Sequence, residues 1–286
     1  MQTFSVELER KIRELIYQCG TRAEDLAKQP YSVSEKGPED YVTSVDRELD
    51  RLLTAGFSEL FPQDGIITEE NERSRLAFNG DREQLWCIDP LDGTEGFIQG
   101  KPHYSVMIGL LSNFQPIAGW IYAPALEQMY YGGTDWGLFQ SVGGSAVEPL
   151  SPVEPPPPNS SVCPIMLGDR DQRNFGEAIA QLVPGVCYSS LGSFGLKVME
   201  VIYGRAGLYL YLNGRVKLWD TAGPVALAKA AGLVCCDLEG KPLSFEPSAL
   251  SSDTLIHKQA ILIGWPSYVE ALRSPICEAV LATQTQ

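Results

Sequence analysis

The chain reads as an α/β protein in two halves, and three observations carry that reading. Apolar residues recur at helical spacing near the start of the 286-residue chain. Short apolar runs separated by turn signals follow between residues 86 and 140. Beyond a proline-rich stretch, strand-like runs and helical patterns alternate. Helices followed by an antiparallel meander make residues 1–150 an α+β half, and the alternation makes residues 160–286 an α/β half.

Taken in order, residues 3–29 predict an amphipathic helix. Phe4, Leu8, Ile12, Leu15, Ile16 and Cys19 share a face, and Gly20 interrupts the pattern before Ala23, Leu26 and Ala27 resume it. Residues 31–40 are polar and turn-rich, a loop or hairpin. A second helix carries Leu49, Leu52, Leu53 and Phe57, and Asp46 falls at its start, where an N-cap belongs. The run at 65–68 is β-branched and ends in Glu69 and Glu70, which suit either a metal or plain solvation. Residues 71–84 are charged, a solvated loop or helical turn. Strands are expected at 104–111 and 116–122 with a hairpin at Asn113, then at 128–132 and 137–140. The stretch 151–160, with Pro152 and Pro155 to Pro158, is extended and semi-rigid and bounds the halves. In the second half, strands at 161–167 and 186–188 flank a helix over 175–183. Gly192-Ser193-Phe194-Gly195 opens a helix over 196–203 with Lys197 one turn in, and 206–212 is a strand. A helix over 221–232 has Asp220 at its N-terminus, Pro224 in its first turn and Gly232 as its stop.

The densest chemistry lies in Trp86-Cys87-Ile88-Asp89-Pro90-Leu91-Asp92-Gly93-Thr94. An apolar strand end runs into two carboxylates three residues apart. Gly93 permits a tight turn, and Thr94 opens a short helix whose N–H groups face outward. Hard oxygen ligands beside an anion site suit Mg²⁺ holding a phosphate. A turn in which Asp89 and Asp92 only satisfy backbone donors is the alternative.

Composition narrows the function. A net charge of −14 speaks against nucleic-acid polymers and anionic membranes. It leaves room for a small phosphorylated substrate, because a bound metal reverses the local sign. No apolar run spans a bilayer, and the start lacks a secretory pattern, so a cytoplasmic protein is expected. The seven cysteines are scattered, without a C-x-x-C pair, and read as reduced thiols. His103 and His257 each stand alone, without ligand or triad spacing.

Four motifs occur in order: Val-Thr-x-x-Asp at 42–46, Thr-Glu-Glu at 68–70, Asp-Pro-Leu-Asp-Gly-Thr at 89–94 and Trp-Asp-x-Ala-Gly at 219–223. Together they resemble the inositol monophosphatase superfamily of Mg²⁺-dependent, Li⁺-inhibited phosphatases. The resemblance implies a layered αβαβα sandwich and two or three Mg²⁺ ions. Their ligands would be Glu69, Asp89, Asp92, Asp220 and the Leu91 carbonyl, with Glu70 behind them. Asp46 and Thr94 would orient the attacking water, and the N–H groups of Gly93 and Thr94 would hold the phosphate.

Within the superfamily, Asp-Gly-Thr-Glu-Gly-Phe at 92–97 is similar to the Asp-Gly-Thr-Lys-Gly-Phe of 3′(2′),5′-bisphosphate nucleotidases. Inositol enzymes carry an acid seven residues before the last Asp, and here that place holds Asn213. The branch implies hydrolysis of 3′-phosphoadenosine 5′-phosphate to AMP and phosphate, with Ser193, Lys197 and Asp220 touching substrate and Lys217 a further candidate. Glu95 and Gln99 stand where that branch favours basic residues, which opens the substrate to inositol or sugar phosphates such as fructose 1,6-bisphosphate. A phosphoester-binding regulator is the non-enzyme reading, and a homodimer is compatible with either.

Overall fold

A computed structural model describes residues 5–80, 82–144, 146–159 and 161–284. Phe4 and Ser160 lie outside the described residues. The architecture is mixed α/β, as the sequence predicts. Two compact units form. One holds the described residues up to Leu150 together with Gly192–Leu196 and Trp219–Leu227. The other holds the described parts of the remainder, from Ser151 on.

In the first unit, α1 (Val6–Ala27) and α2 (Ser44–Leu60) flank a two-stranded hairpin of β1 (Val33–Gly37) and β2 (Asp40–Thr43). A seven-stranded sheet follows in sequential order: β3 (Gly65–Thr68), β4 (Gln84–Asp92), β5 (Ser105–Ser112), β6 (Gln115–Ala123), β7 (Gln128–Gly133), β8 (Gly137–Val142) and β9 (Glu148–Pro149). Only the β3–β4 pairing is parallel; the rest is a meander. The helices bury Ile12, Ile16, Leu49, Leu53 and Phe57 against Trp86, Ile88, Leu110 and Trp120 of the sheet. Removing that apolar surface from water is the main force holding the layer together.

Three details depart from the sequence reading. Gly20 does not interrupt α1. A Cβ there would lie 2.3 Å from the Tyr122 ring, so glycine lets helix and sheet approach. Asp46 is not the N-cap of α2. Thr43 is, and Asp46 sits at the third helical position and closes a capping box. The last helix of the chain's active motif, α6 (Leu218–Ala230), starts earlier than expected. Asp220 is therefore its third residue, and Pro224 lies in its interior, where it has no N–H for the Asp220 carbonyl. Between Asp89 and Asp92 the β4–β5 register shifts by one residue. Pro90 falls in that bulge, where a missing N–H costs no ladder bond.

The short α3 (Thr94–Ile98) follows β4, with Gly93 at φ 92 as its N-cap. A five-stranded sheet forms the second unit, in the order β11 (Val186–Ser189), β10 (Cys163–Leu167), β12 (Leu208–Tyr211), β14 (Ile261–Gly264), β13 (Val234–Cys236). The β10 strand runs parallel to both neighbours, and β14 is antiparallel to both of its own. Helix α4 (Asp169–Leu182) begins six residues before the predicted start and packs on α7 (Pro266–Gln284). Helix α5 (Phe194–Ile202) completes the set. The proline-rich stretch is extended and tied down: Val153 donates to the Ile202 carbonyl at 2.9 Å and the Tyr268 hydroxyl to the Pro156 carbonyl at 3.0 Å. The cysteines form no disulfide; only Cys187 is exposed. No helix among the described residues is long and apolar enough to cross a membrane.

Candidate active site

The acidic residues come from three separate elements of the first unit. Glu69 follows β3 and keeps pairing with β4, its N–H donating to the Ile88 carbonyl at 3.1 Å. Asp89 lies on β4 at 2% exposure, and Asp220 is on α6. Carboxylate oxygens of Glu69, Asp89 and Asp220 lie within 4.8 Å of one another. Three such groups repel, and burial adds to the cost. Desolvation first, then Glu69, Asp92 and Asp220, push the Asp89 carboxyl well above its ordinary range. A divalent cation would remove both penalties, so the donor set fits a hard metal.

Two other acids are held differently. The Asp92 carboxylate accepts the Gly195 N–H at 3.3 Å and so ties the end of β4 to the first turn of α5. Glu70 shares the Lys36 ammonium with Glu69, at 2.6 and 3.1 Å. Burial, and then the charge of Glu69, push Glu70 up to about 7 despite that lysine. Lys36 stands on the β1–β2 hairpin, and the sequence offered no spacing that would link it to residue 69. The pairing is a product of tertiary structure.

Beside the trio lies a chain of hydrogen bonds. The Thr94 hydroxyl has Asp46 Oδ1 at 3.0 Å and the Leu91 carbonyl at 2.9 Å. Asp46 Oδ2 accepts the Thr43 N–H at 2.9 Å and also the Thr43 hydroxyl. Burial raises the Asp46 carboxyl, and the bonds from Thr43 and Thr94 oppose it. Thr43 is the residue that sequence reasoning passed over. Its signal was present, since Thr-x-x-Asp before an apolar run is the mark of a capping box.

The loop before β5 closes on this motif. A Cβ on Gly93 would meet the His103 carbonyl at 3.1 Å and the Ser193 nitrogen at 3.2 Å, so the turn has room for glycine alone. Ser193 is fully buried. Its hydroxyl bonds Ser105 at 2.8 Å and accepts the Leu196 N–H at 3.1 Å, which makes it the cap of α5. Lys197, in the second unit, is 6% exposed; its ammonium donates to the Leu191 carbonyl at 2.8 Å and lies 5.6 Å from the Tyr209 ring centroid. In the same unit Asn213 follows β12, near the Leu212 N–H that Asp171 accepts at 2.8 Å. Thus Asp46, Glu69, Asp89, Leu91, Asp92, Gly93, Thr94 and Asp220 gather in one unit, while the side chains of Ser193 and Lys197 are committed inside the protein.

The inositol monophosphatase family matches residues 4–269. A fructose-1,6-bisphosphatase/inositol-1-monophosphatase of Thermotoga maritima is 28% identical over 261 residues, covering 91% of this chain and 94% of its own. A 3′(2′),5′-bisphosphate nucleotidase CysQ of Haemophilus influenzae is 27% identical over 275 residues, covering 94% and 97%. Among solved structures, an IMPase of Thermotoga maritima superposes with a TM-score of 0.76 at 23% identity, covering 94% of this chain and 96% of that one. With fold, acidic trio and family match in accord, the chain belongs to the inositol monophosphatase family of metal-dependent phosphatases.

Proposed function

We propose that this phosphatase is a Mg²⁺-dependent 3′(2′),5′-bisphosphate nucleotidase that hydrolyses 3′-phosphoadenosine 5′-phosphate to AMP and phosphate. The reading is carried by Asp-Gly-Thr-Glu-Gly-Phe at 92–97, and Asn213 in place of an acid supports it. The nucleotidase named above matches nearly end to end, and so does the sugar and inositol phosphatase.

In this reading Glu69, Asp89 and Asp220 hold Mg²⁺, with Asp92 and the Leu91 carbonyl completing the set. Bound there, the metal supplies an acidified water and charge stabilisation for the leaving oxygen. The chain's own residues manage the proton. Asp46 Oδ1 holds the Thr94 hydrogen, which turns the lone pairs of Thr94 Oγ1 toward a water proton. A proton taken by Oγ1 passes to Asp46, whose raised affinity makes it the better base. Thr43 fixes the other Asp46 oxygen, so the carboxylate cannot turn away. The N–H groups of Gly93 and Thr94 take the phosphate oxygens. Li⁺ inhibition and a location in the cytoplasm belong to the same proposal.

The deciding experiment is phosphate release, with Mg²⁺, from 3′-phosphoadenosine 5′-phosphate, inositol 1-phosphate and fructose 1,6-bisphosphate. The nucleotide should give the highest kcat/KM. A higher value for either of the others overturns the nucleotidase reading and leaves the phosphatase intact.

A further inference from the structure

The loop between α3 and β5 holds Lys101 in a fixed frame. Gly100 takes φ 71, its N–H donates to the Phe97 carbonyl at 2.9 Å, and the Lys101 N–H donates to the Gly96 carbonyl at 2.9 Å. Those two bonds close a helix in a Schellman motif, with Gly100 as its left-handed residue. Pro102 follows, which biases the Lys101 backbone toward the extended region. One residue on, the His103 carbonyl accepts the Ser193 N–H at 3.0 Å and lies 3.1 Å from where a Cβ on Gly93 would be. The loop thus runs back along α3, with His103 beside Gly93 and Lys101 beside Gly96.

The side chain at 101 departs from the motif that holds it. The residue after the left-handed glycine commonly packs an apolar group on the residue five places earlier. Here those two are Lys101 and Gly96, and a Cβ on Gly96 would sit 3.8 Å from the Lys101 Cβ. Lys101 is exposed and pairs with no acid among the described residues, so its charge is not needed to hold the loop. Gly96 stands nearly one helical turn, about 5 Å, beyond Gly93. A lysine's four-carbon stem covers that distance, which brings the ammonium to the turn between Asp92 and Thr94. Other charges nearby are differently placed. Glu95 is exposed on α3, and its carboxylate accepts the Gln99 amide at 3.1 Å. Lys36 is bonded to Glu69 and Glu70, and Lys197 to the Leu191 carbonyl. On a chain of net charge −14, a substrate with two phosphates gains from a cation set apart from the metal ligands, and Lys101 supplies one at the far end of α3.

We propose that Lys101 is a specificity-determining residue of this site, receiving the second phosphate of a bisphosphorylated substrate whose first phosphate lies at the carboxylate trio. The inference rests on the bisphosphate reading given above. Lys101→Met tests it, because an exposed methionine keeps the stem and removes the charge. The quantity read is kcat/KM for 3′-phosphoadenosine 5′-phosphate divided by that for 3′-AMP, with Mg²⁺. The ratio should fall about tenfold, the low end for a charge-assisted hydrogen bond, because the ammonium stays in contact with water. Lys101→Arg should keep most of the ratio, and Lys101→Glu should lower it further than Lys101→Met. Equal losses on the two substrates would make Lys101 a charge that only steadies the end of α3, and overturn the assignment. So would an unchanged ratio in Lys101→Met, or a fall confined to the competing variants Lys36→Met and Lys197→Met. If the wild type fails on the nucleotides, the nucleotidase reading is lost, and the ratio is read instead on fructose 1,6-bisphosphate over fructose 1-phosphate. A fall there in Lys101→Met still supports Lys101. A wild type that prefers neither bisphosphate to its monophosphate overturns it.

Discussion

Thr94 has one hydroxyl hydrogen and two acceptors in reach, Asp46 Oδ1 and the Leu91 carbonyl. Only one bond can form at a time, and the charged acceptor makes the stronger one. Thr94→Ala removes the relay but leaves the phosphate N–H groups in place. Its kcat should drop about 10²- to 10⁴-fold with KM changed far less, and Thr94→Ser should recover most of the loss. A variant in which KM alone moves would make Thr94 a binding residue instead. Asp89 gives a complementary test that does not depend on turnover. In the metal-free protein its buried charge faces Glu69, Asp92 and Asp220. Asp89→Asn keeps the acceptor for the Leu91 N–H, now at 3.0 Å, and removes the repulsion. At neutral pH the metal-free variant should gain on the order of 1 kcal/mol in urea unfolding. It should also lose most of the Mg²⁺-induced rise in Tm. A metal-free variant less stable than the wild type would mean that Asp89 is held by favourable bonds and not strained by neighbours.

At the level of elements, the reach of Asp220 depends on how closely α6 lies on the sheet of the first unit. A Cβ on Gly119 would be 2.3 Å from the Gly223 carbonyl oxygen, one on Gly109 2.3 Å from the Gly223 nitrogen, and one on Gly223 2.4 Å from the Ile108 carbonyl oxygen. Backbone meets backbone on every side, with no flexible side chain to give way. Gly119→Ala should therefore cost about 1–3 kcal/mol of stability and weaken Mg²⁺ binding as α6 is pushed off. Gly37→Ala, with open space around it, is the control and should be near neutral. Equal Mg²⁺ affinity in the two variants would show that Asp220 adapts to the shift. This contact also marks where sequence reading stopped. Helical spacing gave α1 and α2, because each has one apolar face and a polar remainder. Turn residues gave the meander; Asn113 and Phe114 take φ of 48 and 58 at the predicted hairpin. The metal motif was legible because its residues are contiguous on β4. The start of α6 was not, since Leu218 and Trp219 are as apolar as any strand end. Gly109, Gly119 and Gly223 carried no pattern at all: a glycine needed for close approach looks the same in sequence as one needed for a turn. Ser193 was read as a substrate contact from the resemblance of residues 192–197 to the nucleotidases, and its bond to Ser105 carried no sequence signal.

Over the whole molecule, buried ionisable groups set two opposing trends with pH. Glu70 is pushed up to about 7, and Asp46, Asp50 and Asp89 are raised too, in each case first by burial. Folded, these acids bind protons more readily than they do unfolded, so without metal their contribution worsens as pH rises through the folded values. His257 works the other way. It is 1% exposed in the second unit, with Phe245 edge-on to its ring at 5.2 Å between centroids. Burial pushes its imidazole down from the ordinary 6.5 to about 4. Below pH 6.5 the unfolded chain takes a proton there that the folded chain refuses until about pH 4. The stability His257 lends is therefore complete above 6.5 and is lost as pH falls to about 4. At about 1.4 kcal/mol for each pH unit, the whole loss amounts to about 3 kcal/mol. His257→Gln removes this titration and leaves every acid in place, so the difference between variant and wild type cancels the acidic trend. Urea unfolding in EDTA should give a difference that is constant above pH 7 and moves in favour of the variant by up to about 3 kcal/mol between pH 6.5 and 4. A difference that stayed flat across that range would mean that His257 is protonated in the folded protein, with a partner that stabilises its charge.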